Sequence, residues 1–129
     1  GQTGRSSTPL RERDTIQRSI GEIRATYSSS RAFLRQSMAK VWESANKNGS
    51  ASVEERINLR LAATHGIRSA AGVVDACYNM CGSSAISASN PIQRRFQDIH
   101  VITQHIQGHP INYETAGQFF LGLEPQGNF

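Results

Sequence analysis

The chain has 129 residues, a formal net charge of +4, 37% hydrophobic residues and 19% charged ones, which fits one soluble domain with a modest core. Its 14 Lys and Arg residues are dispersed and not interleaved with aromatic side chains, which argues against a nucleic-acid partner. No apolar run approaches about 18 residues, so no membrane-spanning helix is predicted, and no signal peptide is visible.

Cys77 and Cys81 lie one helical turn apart, a poor spacing for a disulfide, and two cysteines cannot complete a zinc site. The four histidines form no HExxH-type pattern, so no metal is expected. Free thiols predict a reducing, cytoplasmic setting. Residues 1–9 are polar and rich in Gly, Ser and Thr, and the chain opens on Gly1 rather than Met. Both features suggest a piece of a longer protein, with residues 1–13 as a flexible edge and 14–129 as the folded unit.

Asp14 is a candidate cap for a first long helix. Ile16, Ile20, Ile23, Tyr27, Leu34, Met38, Val41 and Ala45 follow three-four spacing to about Lys47, and Asn48-Gly49 supplies the stop. Small polar residues at 28–30 predict close approach of another helix. Ser52 and Glu55 form a capping-box pattern for a second helix that extends to about Met80. Its middle is slim, with Ala62, Ala63, Gly66, Ala70, Ala71 and Gly72, as suits a helix crowded on more than one side.

Next comes the turn Cys81-Gly82-Ser83-Ser84-Ala85. Gly82 permits close backbone approach to a ligand, and Ser83 and Ser84 supply hydroxyls. The same residues also read as a plain helix end with Gly past the last turn.

Asn90 and Pro91 form a good entry to a third helix of about 17 residues, ending near Gln107. Its periodicity gives three stripes. Ile92, Phe96, Ile99, Thr103 and Ile106 make a core face. Gln93, Gln97, His100 and Gln104 make a polar one. Arg94, Asp98, Val101 and His105 make the third, with Arg94 and Asp98 spaced to pair. Gly108 and Pro110 break the pattern. Asn112 is a candidate cap for a short helix, Tyr113–Leu121. No alternating strand pattern occurs. The prediction is an all-α, up-down antiparallel helical bundle whose surplus faces suggest an oligomer or an adjoining domain.

Taken in order, two long helices, then CGSSAI, NPIQRRFQDIHVITQHIQ and NYETAGQFFLGLEP resemble the C-terminal helical domain of the acyl-CoA dehydrogenase superfamily. The branch most similar contains flavin-dependent monooxygenases such as the oxygenase component of 4-hydroxyphenylacetate hydroxylase and the dibenzothiophene monooxygenases. The resemblance spans about Pro9 to Pro125, and its most specific part runs from Gly82-Ser83-Ser84 through Pro91 to Asp98 and His105.

The resemblance implies that Gly82, Ser83, Ser84 and Arg94 contact reduced FMN or FAD, and that His105 lies by the flavin ring and substrate. It further implies a flavin reductase as partner, an aromatic or heteroaromatic substrate with O2, and a homo-oligomer, expected as a tetramer. The dehydrogenases' catalytic glutamate aligns with Ile106, which cannot remove a proton. Gln97 also departs from the family's pattern, where an arginine is expected. With the family's other domains outside the chain, the 129 residues alone are expected to be inactive. A divergent acyl-CoA dehydrogenase domain and a purely oligomerising bundle stand as alternatives.

Overall fold

A computed structural model describes residues 8–129, so residues 1–7 of the expected flexible edge lie outside the described residues. Leu10–Glu12 form a short 3-10 turn, and α1 follows over Asp14–Asn48. Its N-cap position is Arg13, which makes no side-chain capping bond, so Asp14 is the first helical residue and not the cap. Gly49 ends the helix in the left-handed region at φ 80°, with its N–H on the Ala45 carbonyl, a conformation that favours glycine.

Helix α2 spans Val53–Cys81. The capping box forms as the sequence implies: the Ser52 side chain accepts from the Glu55 N–H, and the Glu55 carboxylate accepts from the Ser52 N–H. With only residues 49–52 between them, the two long helices are antiparallel neighbours. Ser30 and Ser37 are the buried residues of α1, and Ile57, Ala62, Thr64 and Ala71 those of α2. Small side chains at the inner surface allow close approach, as expected from residues 28–30. Ile20, Tyr27 and Met38 of the predicted apolar stripe are instead exposed.

Helix α2 is the hub, since α1 and every element after α2 pack on it. Gly82–Ile86 make a 3-10 turn, α3 spans Pro91–Ile102, a third 3-10 turn covers Ile106–Gly108, and α4 runs Ile111–Phe120. Tyr78 stacks on Phe96, Asp75 meets His100, Arg68 meets Gly108, Thr64 meets Gln107, and Arg56 meets Phe129. Thus α3 runs antiparallel to α2, and the turn after it seats near the middle of α2. No strand occurs among the described residues, and the all-α antiparallel bundle agrees with the sequence pattern.

Helix α3 is 12 residues long and stops at Ile102, short of Gln107. The Thr103 hydroxyl donates to the His100 carbonyl, and the next two N–H groups bond three residues back, Gln104 to Val101 and His105 to Ile102. A threonine bonding back to the main chain competes with continued helix. Thr103 is buried, as its stripe implied, but Ile106, read as core, is 57% exposed because the helix has already ended.

Asn112 is also not a cap. Pro110 holds the N-cap position of α4 without a side-chain bond, and Asn112 turns inward, 6% exposed. The described core is sparse. Its buried apolar members are Ile57, Ala62, Ala71, Ala85 and Ala116, and the whole chain exposes 9224 Å², against roughly 6,800 Å² for a folded monomer of this mass.

Candidate functional site

The Gly82 turn is the first half of the candidate site. Gly82 has φ 58°, and a Cβ placed there would meet nothing within 4 Å, so the backbone is open to close approach. Gly82, Ser83 and Ser84 are all exposed. The Ser84 hydroxyl is already used, donating to the Cys81 carbonyl at 2.6 Å, while the Asn90 side chain donates to the Ser84 carbonyl at 3.2 Å and accepts from the Ile92 N–H at 3.0 Å. Asn90 therefore ties the turn to the start of α3. Both readings of this stretch are compatible with what forms: it ends α2, and it offers bare backbone to solvent.

Arg94 lies one turn into α3, 86% exposed, with its Nε 4.0 Å from Asp98. At that separation and exposure the pair contributes little, and the guanidinium remains available to an anion. A depression of about 660 Å³ runs beside it, bordered by Ser89, Asn90, Gln97 and Asp98.

His105 lies beyond the far end of α3. Twelve helical residues span about 18 Å, so within one chain His105 does not meet the Gly82 turn or Arg94. Because α3 ends early, His105 also leaves the face it was expected to share with Arg94 and Asp98. It is the N-cap of the third 3-10 turn, and its Nδ1 accepts from the Gln107 N–H at 3.2 Å. An accepting Nδ1 puts the proton of the neutral ring on Nε2. His105 is exposed.

That turn is tightly held. The Asn112 amide donates to the Ile106 carbonyl at 2.9 Å, the Thr64 hydroxyl to the Gln107 carbonyl at 2.5 Å, and Arg68 Nε to the Gly108 carbonyl at 2.7 Å. Asn112 also donates to the Thr64 hydroxyl oxygen at 2.9 Å, which links the two holders. Thr64 is fully buried. Next to them, the His65 ring nitrogen shares a 3.0 Å hydrogen bond with the Tyr113 hydroxyl. Burial pushes the Tyr113 phenol above its ordinary 10.0, against a smaller lowering by Arg68.

The periodicity of α2 puts Thr64 on its packing stripe, where it is buried, but does not reveal its bond to Gln107, because that partner is 43 residues away in the chain; Asn112 was misassigned as a cap. His100, set on the polar stripe, bonds Asp75 at 2.7 Å and stacks on Phe96.

A groove of about 730 Å³ opens between α1, α2 and α3, lined by Tyr27, Leu34, Gly66, Ala70, Ile99 and Ile102 among others. Ser30 lies in it with its hydroxyl buried and unpartnered. Among the described residues no group of three or more potential ligands could hold a metal ion, and no helix is long and apolar enough to cross a membrane.

These features define an all-helical domain that carries exposed contact groups at both ends of a short helix on a two-helix frame. The family model described as acyl-CoA dehydrogenase, C-terminal domain, matches residues 1–110, and the chain belongs to that family. It is 31% identical over 116 residues to an indole-3-acetate monooxygenase of Pseudomonas putida, covering 90% of this chain and 30% of that protein. The protein of the same name in Acinetobacter baumannii is 28% identical over the same coverage. The oxygenase component of an FADH(2)-dependent resorcinol hydroxylase of Rhizobium sp. is 27% identical over 128 residues, 93% of this chain and 31% of that protein. The chain thus spans about 30% of the length of these relatives.

Proposed function

We propose that residues 14–129 form the C-terminal helical domain of a monooxygenase that uses reduced flavin to hydroxylate an aromatic or heteroaromatic substrate. What carries the reading is the turn after α3: it offers an exposed imidazole, His105, and neither it nor the residues from Thr103 to Gly108 include a carboxylate. Ile106 at the dehydrogenases' glutamate position speaks against proton abstraction from an acyl-CoA by the usual base. The names of the relatives, which act on indole-3-acetate and resorcinol, support an aromatic substrate.

Reduced FMN or FAD, when bound, supplies the electrons that activate dioxygen for transfer of one oxygen atom to the ring. The residues present suit such a group: an open glycine backbone at Gly82, the exposed Ser83 hydroxyl and an available guanidinium at Arg94. Ser84 acts through the turn, holding its shape. His105 donates a hydrogen bond from Nε2 and orients its partner in a pocket completed by parts of the enzyme outside this chain. The two ends of α3 serve separate portions of that site.

A second protein, a flavin reductase, delivers the reduced cofactor, in line with the name "oxygenase component" of one relative. Copies of the chain associate, with a tetramer as the expected state, in the cytoplasm. The 129 residues alone do not turn over.

The test uses the full-length protein with a flavin reductase, NADH and O2. Wild-type protein is expected to yield hydroxylated aromatic product, and His105→Ala to consume NADH with much less product per turnover. Unchanged coupling in His105→Ala would remove His105 from the site. Reduction of the bound flavin by an acyl-CoA would replace the monooxygenase reading with the dehydrogenase one.

A further inference from the structure

The turn that carries His105 is built unlike an ordinary helix end. Carbonyls left over at a helix end usually meet water. Here three in a row, those of Ile106, Gln107 and Gly108, each accept from a side chain on α2 or α4: Asn112, Thr64 and Arg68. Two of those holders, Thr64 and Asn112, are buried at 0% and 6% exposure and bond each other. The other side of the turn faces His105, since the Gln107 N–H that caps Nδ1 belongs to the same peptide run whose carbonyls are pinned. Gly108 completes the fit: a Cβ there would lie 2.9 Å from Ile67 Cγ2 and 3.3 Å from the Thr103 carbonyl oxygen.

We propose that Thr64 and Asn112 are positioning residues for His105. Held from behind, the turn keeps the Gln107 N–H on Nδ1, and this leaves Nε2 as the proton-bearing nitrogen turned to the partner. The two residues touch neither the substrate nor the cofactor. Their effect passes through the main chain of residues 106–108. This inference rests on the reading of His105 as a site residue.

The mechanism requires one thing of Thr64. Its hydroxyl must donate, so valine, of nearly the same shape, leaves the Gln107 carbonyl with only the 3.4 Å contact from Asn112. Serine keeps the donor. A residue acting only through packing would show the opposite order, because valine keeps the γ-methyl volume and serine loses it.

The experiment measures two quantities in full-length protein: amide exchange over residues 103–109 without flavin, and product formed per NADH oxidised with reductase present. In Thr64→Val, exchange at Gln107 and Gly108 should rise about tenfold, the size expected for loss of one buried hydrogen bond, with α1 unchanged. Coupling should fall as in His105→Ala, and Thr64→Ser should restore both readouts. In the double variant of Thr64→Val with His105→Ala, coupling should be no lower than in His105→Ala alone.

If His105→Ala uncouples and Thr64→Val does not, the positioning role is wrong while the site reading survives. The positioning role is equally overturned if the two losses add. If His105→Ala leaves coupling intact, the site reading fails and the positioning role goes with it. Should Thr64→Val not fold, Asn112→Ala is measured in the same way, with the same expected rise in exchange and fall in coupling, and unchanged values in a folded Asn112→Ala overturn the proposal.

Discussion

Gly108 shows how far a single side chain can be decided by its surroundings. Where a glycine's φ and ψ suit alanine, the substitution normally stabilises slightly by restricting the unfolded chain. Here the added methyl would press on Ile67 Cγ2 at 2.9 Å and on the Thr103 main chain. Gly108→Ala is therefore expected to destabilise, by about 1–3 kcal/mol for overpacking, measurable by chemical denaturation. The sequence marks Gly108 only as a helix stop beside Pro110. Its role as the residue that lets the turn seat on α2 depends on Ile67, which no local pattern connects to it. The proposal of His105 as a site residue rests, at the level of sequence, on family likeness alone. Its tautomer was not legible there, because that follows from the Gln107 N–H and from a helix end that periodicity placed five residues too late.

Among the elements, those governed by local chemistry were the most readable. The Ser52–Glu55 box, the Gly49 stop and the Asn90-Pro91 entry all form where the sequence puts them, since each involves neighbours within a few residues. The end of α3 and the start of α4 were not readable, because Thr64 on α2 draws on the carbonyl of Gln107 from 43 residues away. A long-range hydrogen bond of that kind, together with the Thr103 hydroxyl turned back on His100, overrides the stripe of Ile99, Thr103 and Ile106.

The junction of α1 and α2 carries a pH prediction. The Ser44 hydroxyl donates to Glu55 Oε2 at 2.5 Å, and the Ser52 N–H to Oε1 at 3.0 Å. These bonds, Ser44's first, hold the Glu55 carboxyl below its ordinary 4.5. A carboxyl lowered in the folded state stabilises fully above the unfolded-state value and loses that contribution as pH falls through the lower folded value. Thermal melts below pH 4.5 should thus fall more steeply with acid for wild type than for Glu55→Gln. Equal slopes would show that the carboxylate's bonds do not matter to stability.

At the scale of the molecule, the long antiparallel pair and the all-helical class were legible from three-four periodicity. The mismatch between apolar stripe and actual burial was not. Trp42 is 73% exposed, Met38 53% and Ile20 51%, although each sits in or beside a stretch that reads as interior. Within the described residues nothing covers them, and the proposed association with further domains or copies would cover them.

The thin core has a consequence for how substitutions on α1 should be judged. With Ile57 and Thr64 the largest side chains fully enclosed, the set of positions that behave as interior would change in the longer protein proposed above. Trp42→Ala should be nearly silent in the 129 residues by themselves, within about 0.5 kcal/mol, yet cost on the order of 3 kcal/mol or more in the longer protein proposed above, as truncation of an enclosed tryptophan does. Parallel denaturation of the two lengths would reveal the contrast. A tolerance map measured on the short chain would then mistake the proposed protein's interior for its skin.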